Sequence, residues 1–306
     1  MDEVGQFSRI IHRVMNQGQT NDSLTLIHHT NQTTVYKVED LQTYAVRISV
    51  AASPAQSTQL AILQEIGSVD GIIATILHTE KRLIDGRPCT IDIMPFLPGA
   101  ALRRYPSSAE TQAIVKTMES LHQALYRATP RFQDSPIPRL ADVFQGLLAT
   151  SRPGLMRSRA ESLLADKRFM HLLDDEDQCL VYGDPWPANL LLTHDGSSVS
   201  ASIVDVDPIL IGPRMLQPAL LFSAYFVASS VLFENSESRP DLDSLIQLWP
   251  EQVSREDIVE LMRVYPILLS LVKSAESERT VHSEANALDA NLQLLRDCLA
   301  LIDTYG

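Results

Sequence analysis

Apolar positions recur along this chain with two different periods, and the change from one to the other divides it in sequence order. Val4, Phe7, Ile10, Ile11 and Val14 fall at helical spacing and predict an amphipathic helix over residues 3–17. The texture then becomes β-like. Residues 24–27, 33–38 and 44–50 are rich in β-branched and aromatic side chains, and Thr30-Asn31-Gln32 and Glu39-Asp40 separate them as turns, which predicts a short antiparallel meander. Residues 56–66 return to a helical period. Residues 72–84 and 88–95 flank Asp85-Gly86, a dipeptide suited to a tight hairpin, so two more strands are expected there.

Beyond Pro98-Gly99 the alternating pattern almost stops. Ser107 and Glu110 have the spacing of a capping box, in which each side chain satisfies the other's backbone N–H. They open a helix whose Ile114, Met118, Leu121 and Leu125 form one stripe. Residues 155–173 are predicted helical, and short strands at 178–181 and 200–204 frame a loop-rich stretch. Everything after Leu216 reads as helix: a buried segment, residues 242–248, a helix capped by Ser254 and kinked near Pro266, and a last helix. That one carries Leu288, Leu292, Leu295, Leu299 and Ile302 on one face, with Ser283 as N-cap. A small sheet, a Pro/Gly hinge and a large helical body make an α+β chain of two lobes: an antiparallel-sheet lobe over 1–95 and a mainly helical lobe over 96–306.

Composition narrows the function. With 45% hydrophobic and 21% charged residues the 306-residue chain is an ordinary globular one. Its net charge of -13 disfavours nucleic acid as a partner, because backbone phosphates need a Lys/Arg surface. Cys89, Cys179 and Cys298 are scattered and form no metal-binding or disulfide pattern. The start, Met1-Asp2-Glu3, is acidic where a signal peptide is basic. The longest uncharged run, 216–233, is interrupted by Pro218 and reads as a helix buried in protein rather than a membrane span. The expectation is a cytoplasmic protein with no membrane partner; the oligomeric state stays open.

The chemistry concentrates in Val181-Tyr182-Gly183-Asp184-Pro185-Trp186-Pro187-Ala188-Asn189-Leu190-Leu191-Leu192. Here Asp184 and Asn189, five positions apart, sit in a Pro-containing loop that runs into an apolar strand. Asp205 follows sixteen positions later at the end of a β-branched strand, with Asp207 two further on. Phosphoryl transfer needs such parts: a carboxylate to orient the attacking hydroxyl, then an amide oxygen and a carboxylate to hold magnesium on nucleotide phosphates.

These two segments resemble the catalytic and metal-binding loops of the aminoglycoside phosphotransferase and choline kinase superfamily, relatives of the protein kinases. The resemblance implies a bilobal protein-kinase-like fold, ATP or GTP and Mg2+ as cofactors, and a small hydroxylated acceptor. Whether that acceptor bears an amine is left open, although acidic stretches such as Asp174–Asp177 could attract one. It implies Asp184 as the catalytic carboxylate and Asn189 and Asp205 as magnesium ligands. Asp207 either joins them or caps the loop. The strand Tyr44-Ala45-Val46-Arg47-Ile48 looks like the family's third strand, which makes Arg47 the phosphate-bracing cation. Ile93-Met94-Pro95-Phe96-Leu97-Pro98-Gly99 looks like the linker that receives the nucleobase, which brings in Met94 and Phe96. Leu121-His122 resembles the family's Leu-His, with His122 expected to be structural, and Trp186 either walls the loop or touches substrate.

Three departures temper the activity more than the fold. Tyr182 stands where the family usually has His. Gln217 stands where it usually has an Asp accepting hydrogen bonds from the catalytic-loop backbone; Gln keeps an acceptor but loses its charge, so a looser loop is expected. The family's small-lobe Glu has no clear counterpart, leaving Glu65, Gln59 or neither as partner of Arg47. A phosphotransferase is the first reading. A pseudokinase, the same fold serving as a nucleotide-binding regulatory module, is the alternative.

Overall fold

The computed structural model describes residues 23–29, 33–39, 43–50, 54–67, 69, 71–74, 76–84, 86–151, 154–174, 177–206, 208–231, 241–276 and 285–305. The helix expected over 3–17, the N-cap Ser283 and Asp207 lie outside them. The chain forms two compact units, Met1–Pro98 and Gly99–Gly306.

The first unit is built on five antiparallel strands: β1 (Ser23–His29), β2 (Thr33–Glu39), β3 (Thr43–Val50), β4 (His78–Ile84) and β5 (Arg87–Pro95), in the order β1-β2-β3-β5-β4. Alternation along β3 buries Tyr44, Val46 and Ile48 and turns Ala45, Arg47 and Ser49 the other way. On β5 the apolar face of Cys89, Ile91 and Ile93 joins that core. The opposite face of β5 is buried as well, including Thr90 and Asp92, so this strand carries an acid in an apolar setting. One helix, α1 (Pro54–Ile66), interrupts the strand series; Pro54 sits at its start, where a missing N–H costs nothing. The strand expected over 72–84 is shorter, because residues 71–73 run as turn, bend and bridge and ladder pairing begins at His78. Ile73 and Ile76 are buried there without belonging to a strand, so apolar character overstated the ladder.

In the second unit α2 (Ser108–Phe132) opens with the expected capping box, Ser107 N–H donating to Glu110 at 2.7 Å and Glu110 N–H to Ser107 Oγ at 3.4 Å. Its stripe Ile114, Met118, Leu121 and Leu125 is fully buried. A helix that the pattern did not announce, α3 (Leu140–Thr150), follows. The helix expected over 155–173 is two, α4 (Leu155–Ala165) and α5 (Lys167–Leu173), because Asp166 terminates the first and caps the second by accepting from the N–H groups of Arg168 and Phe169. Two small sheets come next. One pairs β6 (Ala100–Ala101), β8 (Leu190–Asp195) and β9 (Ser198–Ile203); the other pairs β7 (Gln178–Tyr182) with β10 (Ile209–Pro213).

The remaining helices are α6 (Leu216–Val231), α7 (Leu242–Leu248), α8 (Arg255–Met262), α9 (Val264–Glu276) and α10 (Ala285–Asp303). From Leu216 to Ala228 every position of α6 other than Gln217, Pro218 and Ser223 is an apolar or aromatic residue, and the segment is buried on all sides. The kink expected near Pro266 is a break at Arg263, which places Pro266 in the first turn of α9, where proline is tolerated. Among the described residues no helix is long and apolar enough to cross a membrane.

Candidate active site

The site grows from β7, whose Cys179, Leu180, Val181 and Tyr182 are wholly buried. Its backbone is tied on several sides. Leu180 N–H donates to Thr129 Oγ1 of α2 at 3.0 Å. Gln217, fully buried in the first turn of α6, brackets Tyr182: its Oε1 accepts from Tyr182 N–H at 2.9 Å and its Nε2 donates to Tyr182 C=O at 3.2 Å. The amide thus imitates a neighbouring strand. A carboxylate could only accept, whereas the Gln217 amide both accepts and donates here.

Gly183 follows because another segment passes close. Its N–H donates to Pro208 C=O at 2.8 Å, and a Cβ there would meet that oxygen at 3.1 Å and the Leu210 Cδ2 at 3.1 Å. The loop then closes through a short 3-10 turn, Pro187–Asn189, with Asn189 N–H on Trp186 C=O at 2.8 Å, and Val204 N–H on Asn189 C=O at 2.9 Å. That last bond ties the loop to the segment carrying Asp205. Asp205 adopts φ 60, a left-handed conformation uncommon for a non-glycine residue and concentrated at functional sites.

Four side chains meet here. Asp184 Oδ2 accepts from Asn189 Nδ2 at 3.1 Å, and Asp184 Oδ1 accepts from the Tyr265 hydroxyl of α9 at 2.8 Å. Tyr182 donates its hydroxyl to the Asp205 carbonyl at 3.2 Å and accepts from Asn189 Nδ2 at 3.3 Å. The sequence-expected trio Asp184, Asn189 and Asp205 is therefore brought together, with Tyr182 as the strut between the loop over residues 184–189 and the segment after β9. Burial pushes the Asp184 carboxyl above the usual carboxylate range; the hydrogen bonds from Tyr265 and Asn189 pull it back, and the charge of Asp205 raises it further. Burial, reinforced by the Asp184 charge, drives the Tyr265 phenol well above its ordinary value, so it stays a donor.

The donor chemistry suits a hard divalent cation. Three acceptor oxygens surround Asn189 Nδ2 (Asp184 Oδ2, Asp184 C=O at 3.2 Å and Tyr182 Oη), which fixes the amide and directs its Oδ1 away from them. An amide oxygen and the Asp205 carboxylate are the ligands such an ion takes when phosphates and water complete its shell. Among the described residues there is no cluster of three or more His, Cys, Asp and Glu that could hold a metal alone. Asp207 lies outside the described residues.

Arg47, in the first unit, pairs with Asp92, directly opposite on β5, through Nε at 3.3 Å and Nη2 at 3.1 Å. Thr79 of β4, also in register, donates to the other carboxylate oxygen at 2.9 Å. The sequence signal for Asp92 was an isolated acid inside the apolar Cys-Thr-Ile-Asp-Ile-Met run. At the linker, Met94 lies opposite Ala45, and Phe96 N–H is engaged by Thr43 C=O at 3.0 Å. Since Pro95 and Pro98 lack an N–H, Leu97 carries the other backbone donor of residues 95–98. Lys37 Nζ stands 5.1 Å from the Phe96 ring centre. His122 is packed in the second unit with its ring centre 6.0 Å from that of Trp249, and neither ring nitrogen has a partner among the described residues. Trp186 is half-buried beside the loop, and its backbone N–H supports the Asp184 carboxylate. Tyr265 was missed: it lies 81 positions from Asp184, and a Tyr-Pro step in a helical pattern gives no hint of what it touches.

A sheet-bearing unit followed by a helical one, with carboxylate, amide and strained Asp on successive loops, defines a bilobal α+β protein of the protein-kinase-like class. Residues 23–233 match the phosphotransferase enzyme family, and the chain belongs to it. Among solved structures, it is similar to the amicoumacin kinase in complex with AMP-PNP, Ca2+ and Ami (TM-score 0.65, 14% identity, 97% of this chain and 96% of that one). It is similar to choline kinase from Cryptosporidium parvum (0.64, 12%, 97% and 95%). It also resembles the GDP complex of an aminoglycoside 2'-phosphotransferase (0.64, 13%, 98% and 99%). At these identities the likeness is one of fold. No curated protein sequence matches the chain.

Proposed function

We propose that this phosphotransferase moves the γ-phosphate of ATP or GTP to a hydroxyl of a small molecule. The observation that carries the reading is the joint placement of Asp184, Asn189 and Asp205 by one hydrogen-bonded strut, Tyr182. The acceptor oxygen attacks the γ-phosphorus, the bond to the β-γ bridging oxygen breaks, and the nucleoside diphosphate leaves. Asp184 orients the hydroxyl and takes its proton late in the transfer, since the transition state is loose and no alkoxide need form beforehand. Bound Mg2+ supplies neutralisation of charge between the phosphates; Asn189 Oδ1 and the Asp205 carboxylate would hold it. Arg47, oriented by Asp92, braces the phosphates, and the backbone around Met94, Phe96 and Leu97 receives the base.

Charge and structural likeness support a cationic acceptor. The chain's net charge of -13 suits a cationic acceptor, and choline, the acceptor named for one structural neighbour, carries a hydroxyl and a fixed positive charge. We place the reaction in the cytoplasm, which supplies the nucleotide and keeps the unbridged Cys89, Cys179 and Cys298 reduced.

The test is release of nucleoside diphosphate from Mg·ATP and Mg·GTP with a panel of amino-alcohols, sugars and aminoglycosides. Release that depends on an acceptor is the expected result. Tight nucleotide binding with no acceptor-dependent release across the panel would favour the alternative, a regulatory module without transfer.

A further inference from the structure

Asp184 is half-buried, and its carboxylate is held at both oxygens, by an amide of its own loop and by a hydroxyl from a distant helix. Asn189 Nδ2 reaches Oδ2 from the same loop, and the Tyr265 hydroxyl reaches Oδ1 at 2.8 Å from α9. Rotation of the carboxylate about its Cβ–Cγ bond breaks one or both bonds, so together they fix its plane. Tyr265 is itself immobilised. It is 2% exposed, it sits in the second position of α9, and its neighbours in sequence, Val264 and Ile267, are buried as well. A phenol so placed cannot swing aside without moving the helix, so it is a fixed support rather than a stand-in for an acceptor hydroxyl. Each carboxylate oxygen has a second lone pair, so Oδ1 can accept from Tyr265 and still receive the acceptor's hydrogen.

We infer that Tyr265 is a positioning residue for phosphoryl transfer, holding the Asp184 carboxylate in the plane from which it engages the acceptor hydroxyl. The inference rests on the reading of Asp184 as the catalytic carboxylate. It assigns α9, far from the loop in sequence, a part in the chemistry through one hydroxyl. The chemical step depends on alignment to within a fraction of an ångström, and losses on the order of ten- to a hundredfold follow small misplacements. Nucleotide binding does not pass through this oxygen and should be indifferent to it.

The experiment compares full-length wild type, Tyr265→Phe, Asp184→Ala and the double variant, in turnover and in nucleotide binding. Tyr265→Phe keeps the ring that packs and removes the one hydroxyl. The expected result is a kcat lowered about tenfold or more with nucleotide KM within about twofold, and no further loss when the change is added to Asp184→Ala. Tyr265→His, which can restore a donor, should recover part of the rate if Tyr265→Phe proves poorly folded. A kcat within about twofold of wild type for a folded Tyr265→Phe, or an equal proportional loss in the presence and absence of the Asp184 carboxylate, overturns the inference. Failure of the underlying reading is distinct: it would appear as full turnover in Asp184→Ala.

Discussion

Tyr182 and Gln217 occupy the two places where the family resemblance led one to expect His and Asp, and side-chain chemistry explains why they work together. Gln217 offers both an acceptor and a donor, and it uses them on the N–H and C=O of the same residue. Tyr182 then extends its hydroxyl to the Asp205 carbonyl, spanning from the loop over residues 184–189 to the segment after β9. Gln217→Leu therefore removes the side-chain partner of two buried backbone groups and should lower stability by about 1–3 kcal/mol, with a fall in kcat. Urea unfolding with a wild-type midpoint would show that the amide anchors nothing. The meeting of Asp184 and Asn189 was legible in the sequence because a short spacing in a loop is preserved by folding, and Asp205 was legible from its place at the end of a β-branched strand. The contacts of Tyr265 were not, because a side chain reaching across 81 positions leaves no local pattern.

Among the elements, the strands and caps were read more faithfully than the breaks. The β-branched and aromatic texture of residues 44–50 announced β3, and the Ser107/Glu110 box announced the start of α2. Asp166 could not be read as a double terminator, since a helical period continues through it and only its hydrogen bonds to the next turn reveal the cut. Across the first unit's sheet the row Arg47, Asp92, Thr79 is a matter of register, which single-strand patterns do not encode. Removing the acid leaves a half-buried guanidinium with less support. Asp92→Ala should destabilise the protein by about 1–3 kcal/mol and raise the nucleotide KM, measured by chemical unfolding and initial rates. An unchanged KM would remove Arg47 from phosphate binding or Asp92 from its support.

At the scale of the whole molecule, two buried titratable groups set the acid limit of stability. Burial holds the His122 imidazole down at about 4 against an ordinary 6.5. Between those values the unfolded chain binds more protons, so stability rises with pH across that window and falls as pH drops through it. His122→Leu should flatten this slope, read as urea midpoints against pH. Glu110, drawn down to about 2 from 4.5 chiefly by its hydrogen bonds from Arg104, adds stability that is present above 4.5 and is lost on further acidification. Neither group touches the chemistry, which the account assigns to one carboxylate. The most direct measurement is acceptor-dependent nucleoside diphosphate release by wild type and Asp184→Ala, with Mg·nucleotide binding measured in parallel. The account expects the variant to bind nucleotide and to lose turnover by a factor on the order of 10²–10⁴. Turnover undiminished in Asp184→Ala would contradict it.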